Sequence, residues 1–133
     1  MCGICAKVGL MLFDTDVLIW VLKGNPKAIG ALESIEEPKA SIVTAMELIQ
    51  GARDRAELKS LREFLLTLQI VPLSENVGHR ARVYMEEYAL QSGLTMADAL
   101  IGATAAENNV KLCTGNRKHF KAITEVDVQG FRP

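Results

Sequence analysis

Apolar residues recur along the chain with two alternating periods. "LMLF" is a short continuous apolar run, as expected of a strand buried on both faces. Behind it "DVLIWVLKG" carries Val17, Leu18, Val21 and Leu22 at helical spacing until Gly24-Asn25-Pro26 stops it. "PKAIGALESI" predicts a second amphipathic helix and "KASIV" a second strand, after which Thr44 is placed to cap "AMELIQGA". "RAELKSLREFLLTL" lines Leu58, Leu61, Leu65 and Leu68 along one face, "QIVPL" reads as a strand, and Ser74 or Asn76 opens the helix "VGHRARVYMEEYALQSG". Beyond Gly93, Thr95 caps "MADALIGATAAENN"; "VKLCT" is a further strand, "NRKHFKAI" a short helix and "EVDVQGF" the last strand.

Strands that alternate with helices need crossover connections, so the fold class is α/β: a mostly parallel sheet covered on both faces, an α/β/α sandwich. In such sheets ligands sit beyond the carboxyl ends of the strands. Residues just after each strand are therefore expected to converge. Asp14 follows the first strand, Glu47 lies on the helix after the second, Asn116 follows the strand containing Cys113, and Asp98 lies near a helix start from which it can project to the same end.

Composition narrows the field. At 133 residues the chain fits one domain, and 49% hydrophobic with 5% aromatic content predicts an aliphatic core. Residues 11–133 form that domain, and residues 1–10 are expected to be an N-terminal extension upstream of it. Fifteen Lys plus Arg against 16 Asp plus Glu leave a net charge of -1, so nothing in the bulk charge draws in nucleic acid or membrane. A polyanion must be bound by a local patch or through a cation. No apolar stretch reaches the roughly 18 residues of a membrane span and no secretory cleavage pattern is present, so a cytoplasmic protein is expected. The three cysteines, Cys2, Cys5 and Cys113, read as free thiols. Cys2-x-x-Cys5 has only Cys113, His79 and His119, all scattered, to complete a zinc site, and an incidental pair in a terminal leader explains it more simply.

The chemistry starts from "LFDTDVLI". Carboxylates gathered in one cleft repel one another and take up protons unless a cation neutralises them. Mg²⁺ or Mn²⁺ prefers oxygen ligands, keeps waters and bridges to phosphate, which turns an acidic pocket into a phosphodiesterase site. Each residue also has a plainer role. Asp14 and Asp16 can cap the helix that follows. Glu47 can be an exposed helix residue, whereas Asp98, between Ala97 and Ala99, sits where a solitary charge is costly. Thr15 and Thr114 offer hydroxyls near strand ends, either as caps or as water-positioning groups. Gly102 and Ala103, with Gly51 and Ala52, suit close helix packing. Arg53, Arg117 and Lys118 are the basic residues placed to contact the phosphates of a polyanion, with solvated surface as the alternative. His119 follows closely, but a general base is unnecessary where a cation activates the water.

These segments in their order, "LFDTDVLI", "TAMELIQGA", "TMADALIGATA" and "CTGNRKHF", resemble the PIN domain, specifically the ribonuclease toxins of VapC type from toxin-antitoxin pairs. The resemblance implies a Mg²⁺- or Mn²⁺-dependent endoribonuclease, dimeric and held inactive by a cognate antitoxin protein. By motif position it makes Asp14, Glu47 and Asp98 the metal-binding acids, with Asp16 in a secondary role. Asn116 takes the fourth catalytic position, where many members of the wider family carry Asp. It also implies a groove for a partner helix, to which Trp20, Leu22, Ile29 and Leu32 are suited if they are not core. Two rival readings stand beside it. One is a phosphatase of haloacid dehalogenase type with Asp14 as nucleophile, for which the usual Gly-Thr after the second Asp is missing. The other is a non-catalytic, PIN-like protein-binding module, which has no use for an anion cluster.

Overall fold

The computed structural model describes residues 10–133. The extension, with Cys2 and Cys5, lies outside the described residues apart from Leu10; Cys113 is buried and, among the described residues, a free thiol.

A five-stranded parallel sheet runs in the order β3-β2-β1-β4-β5, with β1 Met11–Phe13, β2 Lys39–Ser41, β3 Gln69–Val71, β4 Lys111–Thr114 and β5 Val128–Gly130. Leu12 pairs with Leu112 and Phe13 with Cys113 in the two central strands. Because successive strand residues point to opposite faces, this register sorts the core into two halves. Leu12 and Leu112 join Val77, Ala81, Tyr84 and Ile101 on one face. Met11, Phe13 and Cys113 join Val17, Leu18, Leu48 and Leu61 on the other.

The helices are α1 Thr15–Leu22, α2 Pro26–Glu33, α3 Ile42–Gln50, α4 Arg55–Leu65, α5 Glu75–Ser92, α6 Met96–Glu107 and α7 Arg117–Phe120. Helices α1, α2 and α4 cover the Phe13 face and α5, α6 and α7 the Leu12 face. Helix α3 serves both, sending Val43 to one half and Leu48 to the other. The α/β/α sandwich follows directly from the alternation of strands and helices. None of the described helices is long and apolar enough to cross a membrane.

Several boundaries differ from the periodicity. Ile42 and Val43 belong to α3 rather than to the second strand, because the Ser41 hydroxyl accepts from the Val43 N–H at 3.0 Å and starts the helix there. Thr44 is thus an interior helix residue, fully buried, and not a cap. Ser74, not Asn76, caps α5. Helix α7 has only four residues and β5 three, shorter than "NRKHFKAI" and "EVDVQGF" suggest. The expected close approach holds at Gly102, where an added Cβ would lie 3.2 Å from the Phe120 ring. Gly51 instead ends α3 as its C-cap. Trp20 and Leu22 are exposed rather than core, with the Lys23 ammonium 5.3 Å from the Trp20 ring centroid, while Leu32 packs against the Phe13 half of the core.

Candidate active site

The chain builds β1, β2 and β3 outward on one side, then returns through α5 and α6 to lay β4 against the other side of β1. A crevice opens where the strand order reverses, beyond the carboxyl ends of β1 and β4. Asp14 and Asp16 lead out of one strand, and Gly115 and Asn116 lead out of the other.

Asp14 closes this crevice at its base. It is the N-cap of α1, with Oδ1 accepting from the Thr15 N–H at 2.8 Å, while Oδ2 accepts from the Thr114 hydroxyl at 2.7 Å. Its own N–H donates to the Cys113 carbonyl at 2.9 Å, which extends the β1–β4 ladder to the site. The capping and catalytic readings of Asp14 are therefore compatible. With 4% exposure and both oxygens engaged, it is poorly presented as a nucleophile, against the phosphatase reading.

Asp16 sits one step higher. Its Oδ2 accepts from the Gly115 N–H at 2.9 Å, and an added Cβ on Gly115 would lie 2.6 Å from that oxygen, so only glycine lets the β4 loop come this close. Asp16 Oδ1 is buried and has no hydrogen-bond partner among the described residues.

Asp98 arrives from the first turn of α6 in a capping box with Thr95. The Thr95 hydroxyl accepts from the Asp98 N–H, and Asp98 Oδ2 accepts from the Thr95 N–H, each at 3.1 Å. The same Oδ2 meets His119 Nδ1 at 3.0 Å. Both contacts fall on one oxygen, and Oδ1 takes neither.

The charges of Asp16 and Asp98 reach Asp14. Burial raises the pKa of Asp14 to about 6, opposed by the Thr114 hydrogen bond and increased further by the charges of Asp16 and Asp98. Burial also raises the pKa of Asp16, with Asp98 adding to it. Buried Cys113, beneath both, has its thiol pushed up to about 11 by burial first and then by Asp16 and Asp14.

Glu47, exposed on α3, joins the group through Thr15, whose hydroxyl lies 2.6 Å from Glu47 Oε1 and 2.9 Å from the Thr44 hydroxyl. Asn116 is exposed at the mouth of the crevice. Its backbone N–H donates to the Thr114 hydroxyl at 3.0 Å, while its side chain makes no capping bond. Thr15 and Thr114 are thus both hydrogen-bonded to candidate acids, beyond what capping alone requires.

Among the described residues no three Asp, Glu, His or Cys side chains converge tightly enough to enclose one ion by themselves. The arrangement still fits a hard divalent cation of the Mg²⁺ type, which is held by one or two carboxylates and completes its shell with water and phosphate. A buried carboxylate oxygen without a donor, on Asp16, and mutually repelling acids at Asp14 and Asp98 are what such a cation would relieve.

The basic residues divide. Arg53 is paired with Glu57 at 2.6 Å, so its charge is met locally. Arg117 and Lys118 form no ion pair among the described residues and are exposed beside Asn116. The contact of His119 with Asp98 is not among the roles that the sequence offers for His119, which are a zinc ligand, a phosphate contact and a general base. Its spacing from Asn116, one turn along a short helix, is the available signal.

A PIN domain family model matches residues 11–126. Ribonuclease VapC10 of Mycobacterium tuberculosis is 33% identical, covering 93% of this chain and 98% of its own length. Ribonuclease VapC1 of Methanocaldococcus jannaschii is 30% identical, covering 86% and 82% respectively. Among solved structures, a toxin-antitoxin complex from Klebsiella pneumoniae is 33% identical with a TM-score of 0.76, covering 87% of this chain and 94% of that one. VapBC2 from Rickettsia felis, at 21% identity and a TM-score of 0.78 over 92% and 98% of the two chains, shares the fold. Crevice, topology and similarity agree, and the chain belongs to the PIN domain family.

Proposed function

We propose that this protein is an endoribonuclease dependent on Mg²⁺ or Mn²⁺, the cytoplasmic toxin of a toxin-antitoxin pair. What supports the reading is the hydrogen-bonded group at one sheet end, where Thr114 joins buried Asp14 to the Asn116 loop and Gly115 joins that loop to Asp16, with the charge of Asp98 also reaching Asp14. Buried mutual repulsion of that kind costs stability and is retained where a cation is to be held.

In this reading Asp14 and Asp98 hold the cation, Glu47 joins them across Thr15, and Asn116 offers its amide oxygen from the crevice mouth. Bound there, the cation supplies Lewis acidity and a water of lowered pKa. The protein supplies geometry. Thr114 and the Thr15 N–H keep Asp14 in one rotamer, and Thr95 and His119 both occupy Oδ2 of Asp98, so that Oδ1 is the oxygen left for the cation. Asp16 holds the β4 loop down through Gly115. RNA phosphates are screened from these acids by Arg117 and Lys118.

The partner in this reading is an antitoxin protein, and the working form is a homodimer. An apolar hollow of about 640 Å³ between α1, α3 and α4, walled by Ile19, Leu22, Leu48 and Leu61 and reaching Glu47, supports helix docking there. Cleavage of single-stranded and hairpin RNAs by the purified chain, with Mg²⁺, Mn²⁺ or EDTA, tests the activity. Wild type is expected to cut only with a divalent ion, leaving 5′-phosphate ends. Asp14→Asn and Asp98→Asn are expected to be inactive. Equal cleavage by all three rejects the reading.

A further inference from the structure

Thr44 has no part in the cap that apolar spacing suggests for it, and capping therefore does not account for its hydroxyl. The residue lies inside α3 with no exposure to solvent, between Val43 and Ala45, where valine would fill the same volume without bringing a polar group into the core. A threonine inside a helix commonly turns its hydroxyl back to the carbonyl one turn earlier. Thr104, equally buried in α6, does so, its hydroxyl donating to the Leu100 carbonyl at 2.7 Å. Among the described residues Thr44 makes no such bond. Its hydroxyl crosses instead to α1, where it lies 2.9 Å from the Thr15 hydroxyl.

The supply of hydrogens gives this contact a direction. Thr15 has one hydroxyl hydrogen and two neighbours, the Thr44 hydroxyl and Glu47 Oε1, the latter at 2.6 Å. A carboxylate only accepts, so the Thr15 hydrogen goes to Glu47 and the Thr44 hydrogen goes to Thr15. The three groups form a one-way chain from the core to the rim of the crevice, in which each bond polarises the next. Thr44 and Glu47 stand one turn apart on α3, so both face the first residue of α1. Glu47 is exposed and, among the described residues, its carboxylate is held by the Thr15 hydroxyl alone. The Thr15 N–H meanwhile holds Asp14, so a single residue orients an acid on either side.

We propose that Thr44 is a positioning residue of the site: acting through Thr15, it holds the Glu47 carboxylate at the crevice for the cation. The proposal rests on the ribonuclease reading, in which Glu47 is a ligand. An exposed glutamate free to rotate loses that freedom when a cation binds, and one already anchored to the core loses less.

The test is titration calorimetry of Mn²⁺ into the full chain without RNA, with RNA cleavage and urea denaturation in EDTA measured on the same preparations. Thr44→Val keeps the shape and removes the hydroxyl. It is expected to weaken Mn²⁺ binding about tenfold, and Thr44→Ser to restore the wild-type affinity. Because the effect passes through Thr15, the double variant Thr15→Val, Thr44→Val is expected to bind no more weakly than Thr15→Val alone, and Thr44→Val to add nothing in a Glu47→Gln background. Thr104→Val is the control for a buried helix hydroxyl with no link to an acid, expected to lower the denaturation midpoint and leave Mn²⁺ affinity unchanged. Where Thr44→Val unfolds too readily for titration, Thr44→Ala removes the same hydroxyl without adding bulk. Wild-type Mn²⁺ affinity in the folded hydroxyl-less variant, with wild type still cutting RNA, overturns the positioning role and leaves the ribonuclease reading standing. Equal weakening by Thr104→Val reduces Thr44 to packing and overturns the role as well. Weakening in Thr44→Val that serine rescues, in a protein whose wild type never cuts RNA, overturns the ribonuclease reading and keeps the positioning role. A wild type that takes up no Mn²⁺ overturns both.

Discussion

The Thr114 hydroxyl donates to the buried Asp14 carboxylate at 2.7 Å, joining residues 100 apart in the chain across the gap between β1 and β4. This bond is charge-assisted and shielded from water, so it exceeds a neutral hydrogen bond in strength. The same Thr114 oxygen accepts from the Asn116 N–H at 3.0 Å, so one hydroxyl orients both a candidate ligand and the loop carrying another. Thr114→Val, similar in shape, is expected to cost about 1–3 kcal/mol in urea denaturation, with Thr114→Ser recovering most of it.

Asp14 makes stability depend on pH in an unusual direction. Its pKa in the folded chain is about 6 against an ordinary 3.8, so the folded state binds the proton more tightly than the unfolded one. Stability is then highest below the lower value, falls as pH rises between the two, and carries the full penalty at neutrality. In EDTA at pH 7, Asp14→Asn is expected to stabilise the protein by up to about 3 kcal/mol, and the gain is expected to vanish near pH 4. Thermal melts of both proteins across that interval check the sign.

Gly115→Ala forces the β4 loop away from Asp16, because the new methyl would lie 2.6 Å from the oxygen that now accepts the Gly115 N–H. Cleavage is expected to drop at least tenfold through misplacement of Asn116, while the melting temperature moves by only a few degrees. A rate unaffected by the substitution would detach this loop from catalysis.

His119 holds one oxygen of Asp98 from outside the crevice. Partners that orient a metal ligand commonly contribute about 10–100-fold to metal affinity. His119→Ala is expected to weaken Mn²⁺ binding in titration calorimetry within that range, and His119→Asn, which can still donate, to recover part of it.

Arg80 bridges two carboxylates on the opposite side of the molecule, Glu107 at 2.9 Å and Glu125 at 2.7 Å, and Glu125 also accepts from the Tyr84 hydroxyl at 2.7 Å. These residues tie α5 to α6 and to the segment before β5. Arg80→Met is expected to cost about 1 kcal/mol, since the network is partly exposed, and to leave cleavage intact. Denaturation and activity measured together separate this framework from the site.

What was legible in the sequence was what periodicity encodes. The order of strands and helices and the Thr95 cap follow from apolar spacing, and the rule for parallel sheets directs attention to the strand ends where Asp14 and Asn116 lie. Less was visible where a local hydrogen bond competes with propensity. The β-branched pair Ile42-Val43 reads as strand, yet Ser41 starts a helix at that point. Contacts set by tertiary register were hidden altogether. Nothing in "TGNRKHF" says that His119 meets Asp98, and nothing in "VQGFRP" says that Gly130 makes room for Arg117. Trp20 and Leu22 show the opposite failure, since helical spacing alone cannot tell an apolar face that is covered by the fold from one that is left open.

The Phe120 ring lies against Gly102 with no space to spare, and this contact clamps the helix that carries Asp98 to the turn that carries His119. One extra methyl at position 102 would therefore press on the Phe120 ring and, through it, on the seating of His119 beside Asp98, so an inert interior position shares in setting the candidate site.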